Sequence, residues 1–157
     1  MDVPILDQVK IQAHVLVPLV RALQAELGTE RANSIVRTAL SDVYRAYGEK
    51  WWKSLGDASL GEKVVSTFGI YAAEKSLAYS VVEQAPGEVA VDVTECRFAK
   101  FYEAIGAREL GFLLTCSADH PMAEGFGADV EFTRTQTIMQ GASHCDFRYR
   151  LRQHKAA

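Results

Sequence analysis

The spacing of apolar residues changes along the chain, and the change separates a helical part from a strand-bearing part. Ile11, Val15, Leu19, Leu23 and Leu27 recur every four residues, as an apolar stripe on one helix does. Pro18 lies within the stripe and predicts a kink, or a break with a restart, because its ring removes a backbone donor. Gly28 and Thr29 read as a closing glycine followed by an N-cap threonine. The second helix carries Ala32, Ile35, Val36, Ala39, Leu40 and Val43 on one side and is expected to stop near Gly48. Trp51 and Trp52 then read as core anchors between elements, and residues 59–68 as a shorter helix.

Near residue 77 the period falls to two. Residues 77–84 and 88–94 flank Pro86-Gly87 and predict a hairpin. Helical spacing returns over 96–106, where Phe98, Phe101, Tyr102 and Ile105 align, and again over about 109–118, with Pro121 starting a new turn. Residues 130–139 are rich in threonine and β-branched side chains and predict a strand; Gly141 marks a turn, and 144–152 alternate strictly. In that last strand Cys145, Phe147, Tyr149 and Leu151 share the face expected to meet the core, with His144, Asp146, Arg148, Arg150 and Arg152 on the other. Arg134 shares a face with Val130 and Phe132, and a half-buried arginine needs an anion, from the protein or from a ligand. The whole reads as a single α+β domain over 1–157. N-terminal helices (about 1–70) pack on one face of a small antiparallel sheet carried by about 75–152.

Size and charge narrow the function. A chain of 157 residues suits one core. A net charge of -3 and a pI near 5.8 leave no broad cationic field, which argues against a nucleic-acid partner. No apolar run approaches the roughly 20 residues of a membrane helix, and Asp2 stands where a secretory leader would be basic. Three separated cysteines, at 96, 116 and 145, read as reduced thiols, and the expected compartment is the cytoplasm. The glycine-rich phosphate loops, the nucleophile elbow, the zincin motif and paired CxxC are all absent.

What remains is a constellation in the C-terminal half. Cys116, Asp119 and His120 are spaced to share a helical face, and His144-Cys145-Asp146 is a second cluster, although on a strand Cys145 points away from its neighbours. A thiol beside an imidazole or a helix N-terminus can become a nucleophile, and a nearby acid can protonate a leaving nitrogen. Equally, buried cysteines are ordinary core residues, and Arg148, Arg150 and Arg152 an ordinary solvated face. Cys96, Cys116 and Cys145 could alternatively hold zinc or another soft divalent ion.

Residues 96–102 (CRFAKFY), 114–119 (LTCSAD), 133–137 (TRTQT), Gly141 and 145–149 (CDFRY) resemble the L-2-amino-thiazoline-4-carboxylic acid hydrolase family. A fainter likeness is to the vinyl-reductase-type small-molecule-binding domain, which also ends in a glycine, a cysteine and a phenylalanine on a last strand. The first resemblance implies hydrolytic opening of a small cyclic amidine or amide bearing a carboxylate, at a carbon–nitrogen bond. On that reading Cys116, or Cys145 in its place, supplies a thiolate, and Asp119 or His144 supplies the proton. Arg134, with Arg148 in reserve, pairs the substrate carboxylate, while Thr135, Thr137 and Cys96 also face the ring. No cofactor is expected, with a catalytic zinc as the alternative. The second resemblance implies a non-catalytic small-molecule or metal sensor with a cysteine-lined cavity. The leucine stripe packs either on the chain's own sheet or on a second copy, as a homodimer.

Overall fold

A computed structural model describes residues 3–153. Helices α1 (Ile5–Leu27) and α2 (Thr29–Ser54) form a hairpin, and α3 (Leu60–Tyr71) leads into the strands β1 (Leu77–Ala85) and β2 (Glu88–Cys96). Helices α4 (Arg97–Ala104), α5 (Arg108–Leu114) and α6 (Asp119–Gly125) follow, then β3 (Val130–Thr133) and β4 (Cys145–Leu151). The sheet is antiparallel in the order β1-β2-β4-β3, with Val91 opposite Phe147 and Phe132 opposite Tyr149. The α+β architecture expected from the sequence is the one observed. No helix among the described residues is long and apolar enough to cross a membrane.

One residue, Gly28, makes the turn between α1 and α2, at φ 80° where a side chain would be strained. Thr29 is the first helical residue rather than the cap. Ser59 caps α3 in a reciprocal box with Glu62.

Three helical expectations are corrected. The stripe Ile11, Val15, Leu19 and Leu27 faces outward, with Val15 66% exposed, while Leu6, Ala13, Val17 and Val20 are buried. An i,i+4 row advances roughly 40° around the helix at each step, so five members wind too far to share one line of contact. Helix α1 also runs through Pro18 unbroken. Pro18 is exposed, so the carbonyl whose partner it removes can turn to water, and packing on either side of it holds the helix. Finally, α2 passes Gly48 and includes both tryptophans. Gly48 is there for contact: a Cβ on it would lie 2.0 Å from the Met122 carbonyl oxygen of α6, and one on Gly125 2.2 Å from that of Arg45.

Two clusters of apolar residues result. In the first, α1 packs on Phe98 and Tyr102 of α4, on Leu110, Leu113 and Leu114 of α5, and on Met139. The second joins Val64 and Phe68 of α3, Val89, Val91 and Val93 of β2, Cys145 and Tyr149 of β4, and Phe126 just after α6. Trp52 stacks on Phe126 at 4.2 Å, and the Trp51 indole N–H donates to Thr67 Oγ1 at 2.8 Å, so the pair anchors the second core as expected. The other face of the sheet carries ion pairs, Arg148–Asp92 (2.8 Å) and Arg150–Glu131 (2.9 Å). Leu151, expected in the core, is exposed at the end of β4.

Candidate functional site

The two clusters do not close on each other. Between them lies a cavity of about 380 Å³, walled by Ile5, Val9, Tyr44, Trp51, Phe68, Tyr71, Phe98, Met122, Phe126 and Phe147. Its polar residues include Cys96, Thr115, Cys116, Asp119, Arg134, Thr137 and Cys145, with Thr67 near Trp51 and Gln8 and Gln12 on α1. All three thiols therefore reach one space.

Local breaks in regular structure place them there. Cys96 ends β2 and caps α4, its Sγ accepting the Ala99 N–H at 3.4 Å. The chain departs from helix at Thr115 (φ -120°, ψ -64°), makes one tight turn over Cys116–Ala118, and starts α6 at Asp119. The single helix expected over 109–118 is thus broken just before the thiol. The break turns Cys116 and Asp119 toward the cavity, whereas His120 is exposed on the outside against Phe132, ring centroids 4.8 Å apart. Cys145 opens β4, and its Sγ accepts the Ile138 N–H at 3.2 Å.

Arg134 owes its position to a strand that stops early. The strand expected over 130–139 ends at Thr133, because the N–H groups of Thr135 and Gln136 both donate to Asp146 Oδ1 at 2.9 Å instead of to a sheet partner. Arg134 then turns inward, and its side chain is only 4% exposed. Its Nη1 donates to the Cys116 carbonyl oxygen at 3.0 Å and to the Asp119 carboxylate, and the guanidinium lies 5.6 Å from the Phe147 ring centroid. The partner of the half-buried arginine is thus a protein carboxylate.

Asp119 is the exposed member of that pair, with 33% of its side chain open, and it lines the cavity. Burial pushes its carboxyl up to about 6, against the pull of the Arg134 charge and hydrogen bond. Burial also raises the phenols of Tyr44, Tyr71 and Tyr149, helped by the Asp119 charge, so three neutral hydroxyls surround the carboxylate's field. Burial raises every thiol as well: Cys96; Cys116, well above its ordinary value and further opposed by Asp119; and Cys145, to about 11. The thiols rest protonated, so a thiolate at Cys116 or Cys145 forms only when a base takes the proton.

Of the other candidate residues, Thr137 is buried and lines the cavity, with its hydroxyl accepting the Gln140 N–H at 3.1 Å. His144, Arg148 and Thr135 do not line it. His144 lies on the outward side of the strand, 3.9 Å from Asp92, and Arg148 pairs with the same Asp92. Strict alternation puts both on the face opposite Cys145. The Thr135 hydroxyl is bonded to Asp146. Among the described residues no group of three or more His, Cys, Asp or Glu is disposed to hold a metal ion, so the thiols share a cavity without forming a ligand cluster. The residues missed in the sequence are Tyr44 and Tyr71, whose approach to Asp119 depends on helix packing and leaves no mark in spacing.

The sequence matches the family model of the L-2-amino-thiazoline-4-carboxylic acid hydrolases over residues 8–149. No curated protein matches it. Among solved structures, a trafficking protein particle complex subunit 3 from Naegleria fowleri, covalently bound to palmitic acid, is similar at TM-score 0.52 and 12% identity, over 94% of this chain and 99% of that one. An Fe(II) unliganded H-NOX protein from K. algicida reaches TM-score 0.47 at 10% identity, over 90% of this chain and 74% of that one. At these identities the likeness to the first is one of fold.

Proposed function

The chain belongs to the L-2-amino-thiazoline-4-carboxylic acid hydrolase family, and from that premise we propose that it hydrolyses a carbon–nitrogen bond of a cyclic amidine bearing a carboxylate, with Asp119 and Arg134 at the centre of the site. The observation that carries this reading is the buried Asp119–Arg134 pair on the wall of the cavity. A cyclic amidine acid carries a cationic amidinium and an anionic carboxylate. Asp119, the open member of the pair, meets the amidinium. Arg134 makes both its bonds to Asp119 and Cys116 through Nη1, and its other N–H groups meet the substrate carboxylate.

The simpler route uses water as the nucleophile and needs no covalent intermediate on a thiol that burial keeps protonated. Water adds to the amidinium carbon and gives its proton to Asp119, forming a carbon–oxygen bond. The tetrahedral adduct then expels the ring nitrogen, which takes the proton back as the carbon–nitrogen bond breaks. A carboxyl titrating near 6 can do both at neutral pH. In the covalent variant Cys116 first loses its proton to Asp119 and adds in place of water.

Turnover of 2-amino-thiazoline-4-carboxylate by single variants tests the proposal. Asp119→Asn is expected to lose at least about 100-fold in kcat, and Cys116→Ser to keep wild-type kcat within about tenfold. Loss of all turnover in Cys116→Ser would replace the water route by the covalent one. Wild-type turnover in Asp119→Asn would refute the assignment altogether.

A second reading, a binding domain without turnover, is favoured by one feature, the mostly apolar lining around unactivated thiols. The fold relative covalently bound to palmitic acid is consistent with it. Tight binding of the amidine by the intact protein, with no product formed, would establish it.

A further inference from the structure

A thiazoline carboxylate is polar over nearly its whole surface, yet most of the cavity wall is aromatic or aliphatic. Its charged side chains are Asp119 and Arg134, which are paired with each other beside Cys116. The wall residues that are classed as exposed are Gln8 and Gln12 of α1, Tyr47 of α2 and Ile70 of α3. These exposed residues mark an opening between α1, α2 and the end of α3, and Arg134, with 4% of its side chain exposed, is the inner member of the ion pair. The same three helices contribute Val9, Tyr44, Trp51, Phe68 and Tyr71 to the wall. Cavities of this size hold ligands larger than one small ring, and a few polar groups orient them while apolar walls supply affinity. A small head alone would leave this stretch of wall facing trapped water.

We propose that the ligand is amphiphilic: a compact amidine head at Asp119 and Arg134, and a hydrocarbon substituent that runs outward along the aromatic wall to the mouth at Tyr47 and Ile70. The inference rests on the functional reading above for the head and adds the substituent, which sets the substrate class. Ile70 is then a specificity-determining residue, because it lines the cavity at its exposed end.

Calorimetric binding of a homologous series of n-alkyl amidinium ions, from acetamidine upward, to the full chain tests this without requiring turnover. Affinity is expected to rise about fourfold per added methylene, the gain for moving one from water to an apolar site, until the wall is covered. Ile70→Trp fills the mouth, and it is expected to stop the rise at a shorter chain while binding acetamidine as the wild type does. Should that variant fail to fold, Val9→Phe narrows the same stretch and carries the same expectation. Asp119→Asn is expected to weaken every member by the same factor and leave the rise per methylene unchanged. An affinity independent of chain length, or no binding by any member, would overturn the proposal. A clear rise with chain length in a protein that opens no ring would uphold it while refuting the hydrolase reading.

Discussion

Replacing Asp119 by asparagine isolates the electrostatic consequence of placing a carboxylate between two apolar cores. The folded carboxyl titrates near 6, against an ordinary value of 3.8. Between those two values the folded protein holds a proton that the unfolded chain has released, so the folded state binds more protons and stability falls as pH rises. The difference corresponds to about 3 kcal/mol at full weight. A third of the side chain is open to the cavity, and screening there reduces the expected loss to about 1–2 kcal/mol. The wild type should therefore lose that much relative to Asp119→Asn between about pH 4 and about pH 7, with the steepest change near pH 5, midway between the unfolded and folded values. Urea unfolding of both proteins at a series of pH values measures it. Taking the difference between the two removes groups that titrate in both, including Asp146 and Glu62, whose lowered values make stability rise with pH. Arg134 loses its partner in the variant, but it stays charged throughout and adds only a constant offset. A difference that does not vary with pH would refute the claim that this carboxyl is held near 6.

Three other outcomes follow from the packing. Gly48→Ala puts a methyl group into the Met122 carbonyl oxygen at the α2–α6 crossing, where only backbone could yield; a loss of about 2–4 kcal/mol in denaturant unfolding is expected. Pro18→Ala restores a backbone donor on the exposed face of an unbroken helix and should raise stability by about 1–3 kcal/mol by the same assay. His144→Ala should leave kcat and KM for the amidine within about twofold of wild type, because the imidazole sits on the sheet face opposite the cavity.

Local chemistry made a good part of this molecule legible in its sequence. The period-two alternation around Pro86-Gly87 marked the hairpin, and the alternation through 145–149 marked Cys145 and Tyr149 as inward-facing, because a strand's two faces follow from residue parity alone. The same parity put His144 and Arg148 on the outer side, although His144 was singled out as the neighbour of Cys145 in the chain. Cys116 and Asp119 were visible as a pair because a tight turn keeps residues three apart within reach, whereas nothing in the spacing brought Cys96 and Cys145 to them.

Tertiary structure decided the rest. Which side of α1 is buried could not be read from its apolar stripe, since a solvated helix face can carry leucine and valine while Ala13 and Val17 make the contact. Gly48 looked like a helix end until α6 was seen to cross it. Arg134 stayed an arginine in search of an anion until the break after Thr115 presented Asp119 to it, fifteen residues away in the chain. The cavity exists because two apolar clusters, each formed by its own helices, meet across a gap that neither fills. That gap removes water from Asp119 and the thiols, and desolvation sets their proton affinities. Burial is a property of the whole assembly, so the acid's titration near 6 was beyond any reading of its neighbours in sequence.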